Sequence, residues 1–272
     1  MTKPHVWRPS TFLRLSAGLH VAALGFFLVQ PHLWMWPLLA LALNHAVITA
    51  IGLWPRSDWL GPNLTRLPPA AAKRGEIALT IDDGPDPDVT PKVLDLLDRH
   101  RMKATFFCIG VRAARYPEIC REIIARGHAI ENHTQHHRHT FSLLGIAGIG
   151  REVQAAQQTL GAITGGMPLF FRAPAGLRNP FLDPVLSRHG LRLASWSSRG
   201  FDTRTGDAQR VVRRLKKDLR PGAILLLHDG NAARTIEGVP VILAVLPVLL
   251  DHVAAAGLRS VPLSAAFRTQ EP

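Results

Sequence analysis

Cysteine is nearly absent from this 272-residue chain: Cys108 and Cys120 are the two present. One falls in an expected strand and the other in an expected helix, so they read as buried thiols and exclude a disulfide framework or a cysteine zinc set. Acidic residues are also scarce, with 20 Asp and Glu against 32 Lys and Arg, for a formal net charge of +12. No nucleic-acid-binding module accompanies that charge, so nucleic acid is not an expected partner. The basic residues Arg213, Arg214, Lys216, Lys217 and Arg220 fall on one expected helix, which suits either an anionic lipid surface or a solvated face. The sequence has no internal repeat and no extended low-complexity segment, which excludes a solenoid.

What is present divides into two materials. Residues 12–29 and 33–53 are apolar and about long enough to cross a bilayer as helices, separated by Gln30-Pro31-His32. Trp34, Trp36, Trp54 and Trp59 lie near their ends, where interfacial aromatics belong. His20, Asn44 and His45 are suited to hydrogen bonds between the two helices. A signal peptide and a soluble hairpin packed on the following domain are the competing readings; against the first, no small-residue cleavage pattern stands near residue 30. Residues 1–59 are therefore expected to be a membrane hairpin. Lys3, Arg8 and Arg14 precede it, Arg56, Arg66, Lys73 and Arg74 follow it, and the turn has no Lys or Arg. The positive-inside rule then keeps both ends in the cytoplasm. Residues 60–75, with Pro62, Pro68 and Pro69, read as a linker.

From residue 76 onward, strand-like and helix-like stretches alternate. Strands are expected near 76–81, 104–109, 128–131, 168–172, 191–196, 222–228 and 258–262, with helices at 91–101, 115–126, 146–161, 180–189, 207–219 and 239–256. Asp207 is a plausible N-cap, and Val153, Ala156 and Leu160 repeat at helical spacing. This alternation argues a parallel α/β architecture with active groups at the C-terminal ends of the strands.

Polar motifs stand at those ends. Asp82 and Asp83 close the first strand, before Gly84-Pro85. Adjacent carboxylates suit a metal site or a shared proton, though alone the pair fits a solvated Asp-Gly turn equally well. His133 and His137 are four apart, which one helical turn would place on one face. Neutral imidazoles with a third, carboxylate ligand suit zinc and leave a position open for water. His136 and His139 read as surface residues. Arg172 can hold a carboxylate's charge, and His228 titrates near neutrality and can serve as a general acid.

Together these motifs resemble the polysaccharide deacetylase family, also called the NodB homology domain or the fourth carbohydrate-esterase family. Its T-F-D-D-G-P pattern stands as Thr80-Ile81-Asp82-Asp83-Gly84-Pro85, its H-[ST]-x-x-H as His133–His137, its R-x-P-Y-G as Arg172–Gly176, and its L-x-H as Leu226-Leu227-His228. The resemblance covers roughly residues 76–265. It implies a distorted barrel of seven β/α units, here expected over residues 76–272; the N-terminal transmembrane helical hairpin read above precedes it and lies outside the resemblance. It further implies a metal-dependent hydrolase that removes an N-acetyl group from a sugar. Asp83, His133 and His137 would hold a divalent ion, zinc foremost, while Asp82 would act as base with Arg172 orienting it. The backbone N–H of Ala175 would face the oxyanion, and His228 would protonate the leaving amine. Two residues depart from the pattern. Ala175 stands where the family has tyrosine, and Arg199 where it has an aspartate that tunes the catalytic histidine; Asp202 is the candidate replacement.

The expected partners are an N-acetylated saccharide, lipid-linked given the anchor, and the cell inner membrane, with the domain on the cytoplasmic face. The periplasmic face, where relatives act on cell-wall polymers, is the competing side. An amide or imide hydrolase on a small non-sugar substrate is a second reading, supported by the missing tyrosine. A glycan-binding membrane protein without catalysis is a third, opposed by the complete Asp-His-His set.

Overall fold

The computed structural model describes residues 7–267. Lys3 and residues 268–272, the end of the expected domain, lie outside the described residues. Among the described residues, eight parallel strands form one curled sheet: β1 (Glu76–Asp82), β2 (Ala104–Cys108), β3 (Ala129–Asn132), β4 (Phe170–Phe171), β5 (Arg192–Leu193), β6 (Ser198–Arg199), β7 (Ile224–His228) and β8 (Arg259–Ser260). Their order is β5-β4-β3-β2-β1-β7-β6, and β8 pairs with the start of β1. All seven expected strand regions contribute, and the extra strand, β6, follows closely after β5. The sheet is the distorted, half-closed barrel that the motifs imply.

Alternation along β1 explains both of its faces. Ile77, Leu79 and Ile81 enter the core beneath the surrounding helices, together with Val93, Leu97, Phe106 and Leu246. Ala78 turns the other way, into the barrel interior with Phe107, Trp196 and Leu226. Side chains two apart share a face, so Thr80 and Asp82 follow Ala78 inward. Both cysteines are free and buried.

The stretch 60–75 differs from the linker expected of it. Leu64 pairs with Ala194 beside β5, and Arg66 with Ala223 before β7. Leu60, Leu67 and Ala71 are buried, and Pro69–Lys73 is a short helix. The half-open sheet explains the difference: its edge leaves backbone groups unpaired, and this stretch pairs with them.

Before it stand two helices, α1 (Thr11–Val29) and α2 (Met35–Gly52), joined by the turn Pro31–Leu33. Both are long and apolar enough to cross a membrane. Ser10 caps α1 by accepting the Leu13 N–H. Asn44 Nδ2 donates to Ser16 Oγ at 2.8 Å, and His20 Nε2 lies 3.4 Å from His45 Nε2, so the polar residues of the hairpin meet one another. Leu15, Leu24, Leu28, Leu39 and Leu43 stay exposed instead of packing on the barrel.

Candidate active site

A cavity of about 580 Å³ opens at the C-terminal ends of the strands, lined in part by Asp82, Asp83, His133, His137, Ala175 and His228. Arg172 and Asp202 stand behind its wall, both buried.

The inward face of β1 meets Arg172 directly. Its Nη1 donates to Asp82 Oδ1 at 2.7 Å and to Thr80 Oγ1 at 2.8 Å. Nε and Nη2 donate to the Ala194 and Ser195 carbonyls, and the guanidinium lies 4.1 Å from the Phe107 ring centroid. Burial lowers the pKa of this arginine from its ordinary value, opposed by Asp82. A buried charge held by four hydrogen bonds is a rigid clamp on one oxygen of Asp82.

Asp83 faces elsewhere because its φ is 74°, in the left-handed region. Its Oδ1 lies 3.2 Å from His133 Nε2 and 3.2 Å from His137 Nε2. His133 Nδ1 is 2.8 Å from the Arg172 carbonyl oxygen, so that nitrogen carries the proton and Nε2 presents a lone pair. Burial, followed by the neighbouring His133, pushes the pKa of His137 down to about 4, which leaves it neutral near pH 7. Asp83 Oδ1 is buried and has no hydrogen-bond partner. One atom from each of Asp83, His133 and His137 lies within 4.8 Å of the others. Lone pairs converging on an unsatisfied carboxylate oxygen are the arrangement a divalent cation would relieve, and one carboxylate with two imidazoles is a donor set that suits zinc.

The histidine pair is not helical, contrary to its spacing. Thr134 and His137 both have positive φ, 68° and 51°, and Thr134 Oγ1 accepts the His137 N–H at 2.9 Å. Gly110 and Val111 donate their N–H groups to the Thr134 and Gln135 carbonyls. The loop's backbone is thus bonded to the helix Gly110–Arg115 instead of to itself. His136 and His139 are exposed, and His136 Nδ1 lies 2.9 Å from Glu152 Oε1.

His228 ends β7, beside Asp82 in register. Asp202 Oδ1 lies 3.0 Å from its Nδ1, and Asp202 Oδ2 accepts its backbone N–H at 2.7 Å. Burial disfavours the imidazolium, but Asp202, with help from Asp82 and Asp83, outweighs it and raises the pKa of His228. Phe201, with φ 61°, turns the chain so that Asp202 points back at His228 and Arg199 does not. Ala175 has φ 54° and is exposed at the cavity; the chain's one tyrosine, Tyr116, packs against the helical core. Non-glycine residues seldom adopt positive φ. Asp83, Thr134, His137, Ala175, Phe201 and Asn231 all do so here, a concentration of strain that belongs to functional sites.

Sequence reasoning missed three supports. Asn231 Nδ2 donates to Asp83 Oδ2 at 3.1 Å, and Arg112 bonds both the Asp83 carbonyl and Asn231 Oδ1. Thr90 Oγ1 donates to Asp229 at 2.5 Å; burial pushes this carboxyl up to about 7, and it packs against Gly84. No motif marks them. Arg112 and Asn231 do lie just past the ends of β2 and β7, on the rim where active groups were expected.

Comparison with known proteins gives the family. A family model for polysaccharide deacetylase matches residues 70–194. A chitooligosaccharide deacetylase of Bradyrhizobium sp. (strain ANU 289) is 39% identical over 155 residues, 57% of this chain and 70% of the relative. The chain belongs to the polysaccharide deacetylase family. A peptidoglycan-N-acetylglucosamine deacetylase of Bacillus cereus, another relative, is 32% identical across 71% of this chain and 88% of its own length. The solved structure of the Bc1960 peptidoglycan N-acetylglucosamine deacetylase superimposes with a TM-score of 0.68 at 27% identity, covering 77% of this chain and 94% of that one.

Proposed function

We propose that this polysaccharide deacetylase-family protein is a metal-dependent carbohydrate N-deacetylase, releasing acetate and an amino sugar from an N-acetylated saccharide. The observation that carries the reading is Asp83 Oδ1, buried and unpartnered between two imidazole Nε2 atoms, with the clamped carboxylate of Asp82 3.8 Å from His133 Nε2. The relatives named for chitooligosaccharide and peptidoglycan deacetylation support the substrate class.

A divalent ion, zinc foremost, held by Asp83, His133 and His137 would polarise the amide carbonyl and ease ionisation of water. Asp82 takes the proton of the attacking water through the oxygen that Arg172 leaves free. Arg172 holds that carboxylate fixed in direction, so no reorganisation is needed during the step. The backbone N–H of Ala175 faces the developing oxyanion; alanine supplies it as well as tyrosine would. His228, whose protonated form Asp202 favours, delivers a proton to the departing nitrogen.

The exposed apolar hairpin supports an inner-membrane anchor, and the basic residues on both of its outer sides support a cytoplasmic domain. A lipid-linked N-acetylated saccharide is the substrate that this placement favours. Acetate release from free and lipid-linked N-acetyl sugars, with and without chelator, tests the reading. Chelator-sensitive release from at least one sugar is expected; release that survives full metal removal would overturn it.

A further inference from the structure

The catalytic assignment gives Arg199 no work. Arg199 is half-buried at the cavity wall, where the family pattern calls for an aspartate. Its guanidinium lies 4.6 Å from the Phe201 ring centroid and 5.1 Å from that of Trp196. Its Nε is buried and has no hydrogen-bond partner. The acidic groups nearby are committed elsewhere: Asp202 to His228, Asp82 to Arg172, and Asp83 to the histidine pair and Asn231. The neighbouring Arg172 and Arg112, by contrast, are tied down by hydrogen bonds.

A partly desolvated guanidinium facing a substrate cavity is costly unless an anion arrives to meet it. Two further arginines flank Arg199. Arg204 lines the same cavity. Arg56 lines an adjoining cavity of about 410 Å³ that also includes Arg199, Trp196 and Trp54, and its Nη1 donates to the Ser197 carbonyl. That second cavity therefore connects the site to the residues just past α2. A neutral glycan offers only hydroxyls and amides to this wall. A phosphate ester offers a pair of charged oxygens that the planar guanidinium fork can bind in bidentate fashion.

We propose that Arg199, flanked by Arg204 and Arg56, seats a phosphate ester carried by the N-acetylated saccharide, making the natural substrate a phosphorylated sugar and not a neutral glycan. The proposal rests on the deacetylase reading above and narrows its substrate. A lipid-linked sugar phosphate would reach the seat through the cavity beside α2; a soluble sugar phosphate offers the same group without the chain.

The test uses the full chain in detergent, with N-acetylglucosamine 1-phosphate, its polyprenyl-linked form and neutral chitobiose as substrates. The expected result is a kcat/KM higher for the phosphate-bearing substrates by roughly tenfold or more. That ratio should collapse in Arg199→Ala and persist in part in Arg199→Lys, which keeps the charge but not the fork. A preference for both phosphates assigns the seat to the phosphate itself, and a preference for the polyprenyl form alone adds the lipid; either supports the proposal. No preference in the wild type, or an unchanged ratio in Arg199→Ala, overturns it while leaving the deacetylase reading standing. If no sugar releases acetate, that reading fails, and calorimetric titration with N-acetylglucosamine 1-phosphate decides the seat alone. Binding lost in Arg199→Ala then upholds it, and no binding to the wild type overturns it.

Discussion

Asp82 and Asp83 are neighbours in sequence but face different partners, and the backbone is the reason. Strand alternation sends Asp82 inward to Arg172, whereas a positive φ swings Asp83 to the histidines. Asp83→Asn should therefore abolish metal binding, as should His133→Ala and His137→Ala, each removing one of the three proposed protein ligands. Asp82→Asn should keep the metal and lose roughly 10²–10⁴ in rate through loss of the base. Metal content and acetate release on the same preparations check both, and equal metal loss in the two Asn variants would contradict the division of roles. Asp202 supplies a pH-dependent prediction. It favours the protonated form of His228 and raises that pKa, and the acid must be protonated to act. Asp202→Asn should thus move the alkaline limb of the kcat/KM profile to lower pH. An unmoved limb would mean that His228 is not the acid or is tuned by other groups.

Among the elements, the loops and the stretch 60–75 carry more than their composition suggests. The His133–His137 loop gets its shape from the helix Gly110–Arg115, whose first N–H groups bond its carbonyls; the geometry of the two proposed ligands is thus set across two elements. The stretch 60–75 lies along the open seam, pairing with residues beside β5 and before β7. Leu67, 5% exposed, packs there with Phe107, Trp196 and Leu226, and Phe107 in turn supports Arg172. Leu67→Ala should cost about 2–5 kcal/mol of stability, read as a lower denaturant midpoint with the slope unchanged. An exposed, dispensable tether would instead tolerate the change within about 0.5 kcal/mol.

At the scale of the molecule, an apolar hairpin with its leucines exposed stands beside a domain whose cavity system reaches the end of α2. Exposed apolar surface of this extent needs a covering, and a bilayer supplies one for helices of 19 and 18 residues. Full-length protein should stay with membranes through alkaline carbonate extraction. A C-terminal fusion to a reporter active only in the periplasm should be silent in intact cells, following the basic residues on both outer sides of the hairpin. Strong reporter activity would place the domain outside and turn the substrate toward the cell wall.

Residue order alone determined the alternation of strands and helices, the hairpin and the four strand-end motifs, because hydrophobic period and run length are local properties. It also determined which residue types could meet: the Asp-Asp pair, the spaced histidines and His228 line one cavity, with Arg172 behind its wall. The tertiary structure decided what depends on contacts between distant segments. His133 and His137 converge through a loop bonded to another helix, not through helical periodicity, which spacing cannot distinguish. The proline-bearing stretch before β1 became part of the barrel because an open sheet edge, invisible in the sequence, needed partners. Arg112 and Asn231 carry no motif and support Asp83 only because β2 and β7 flank β1. Asp202 rather than residue 199 reaches His228, across the left-handed residue Phe201, whereas Arg199 is held in β6 beside Leu226 and lines the cavity.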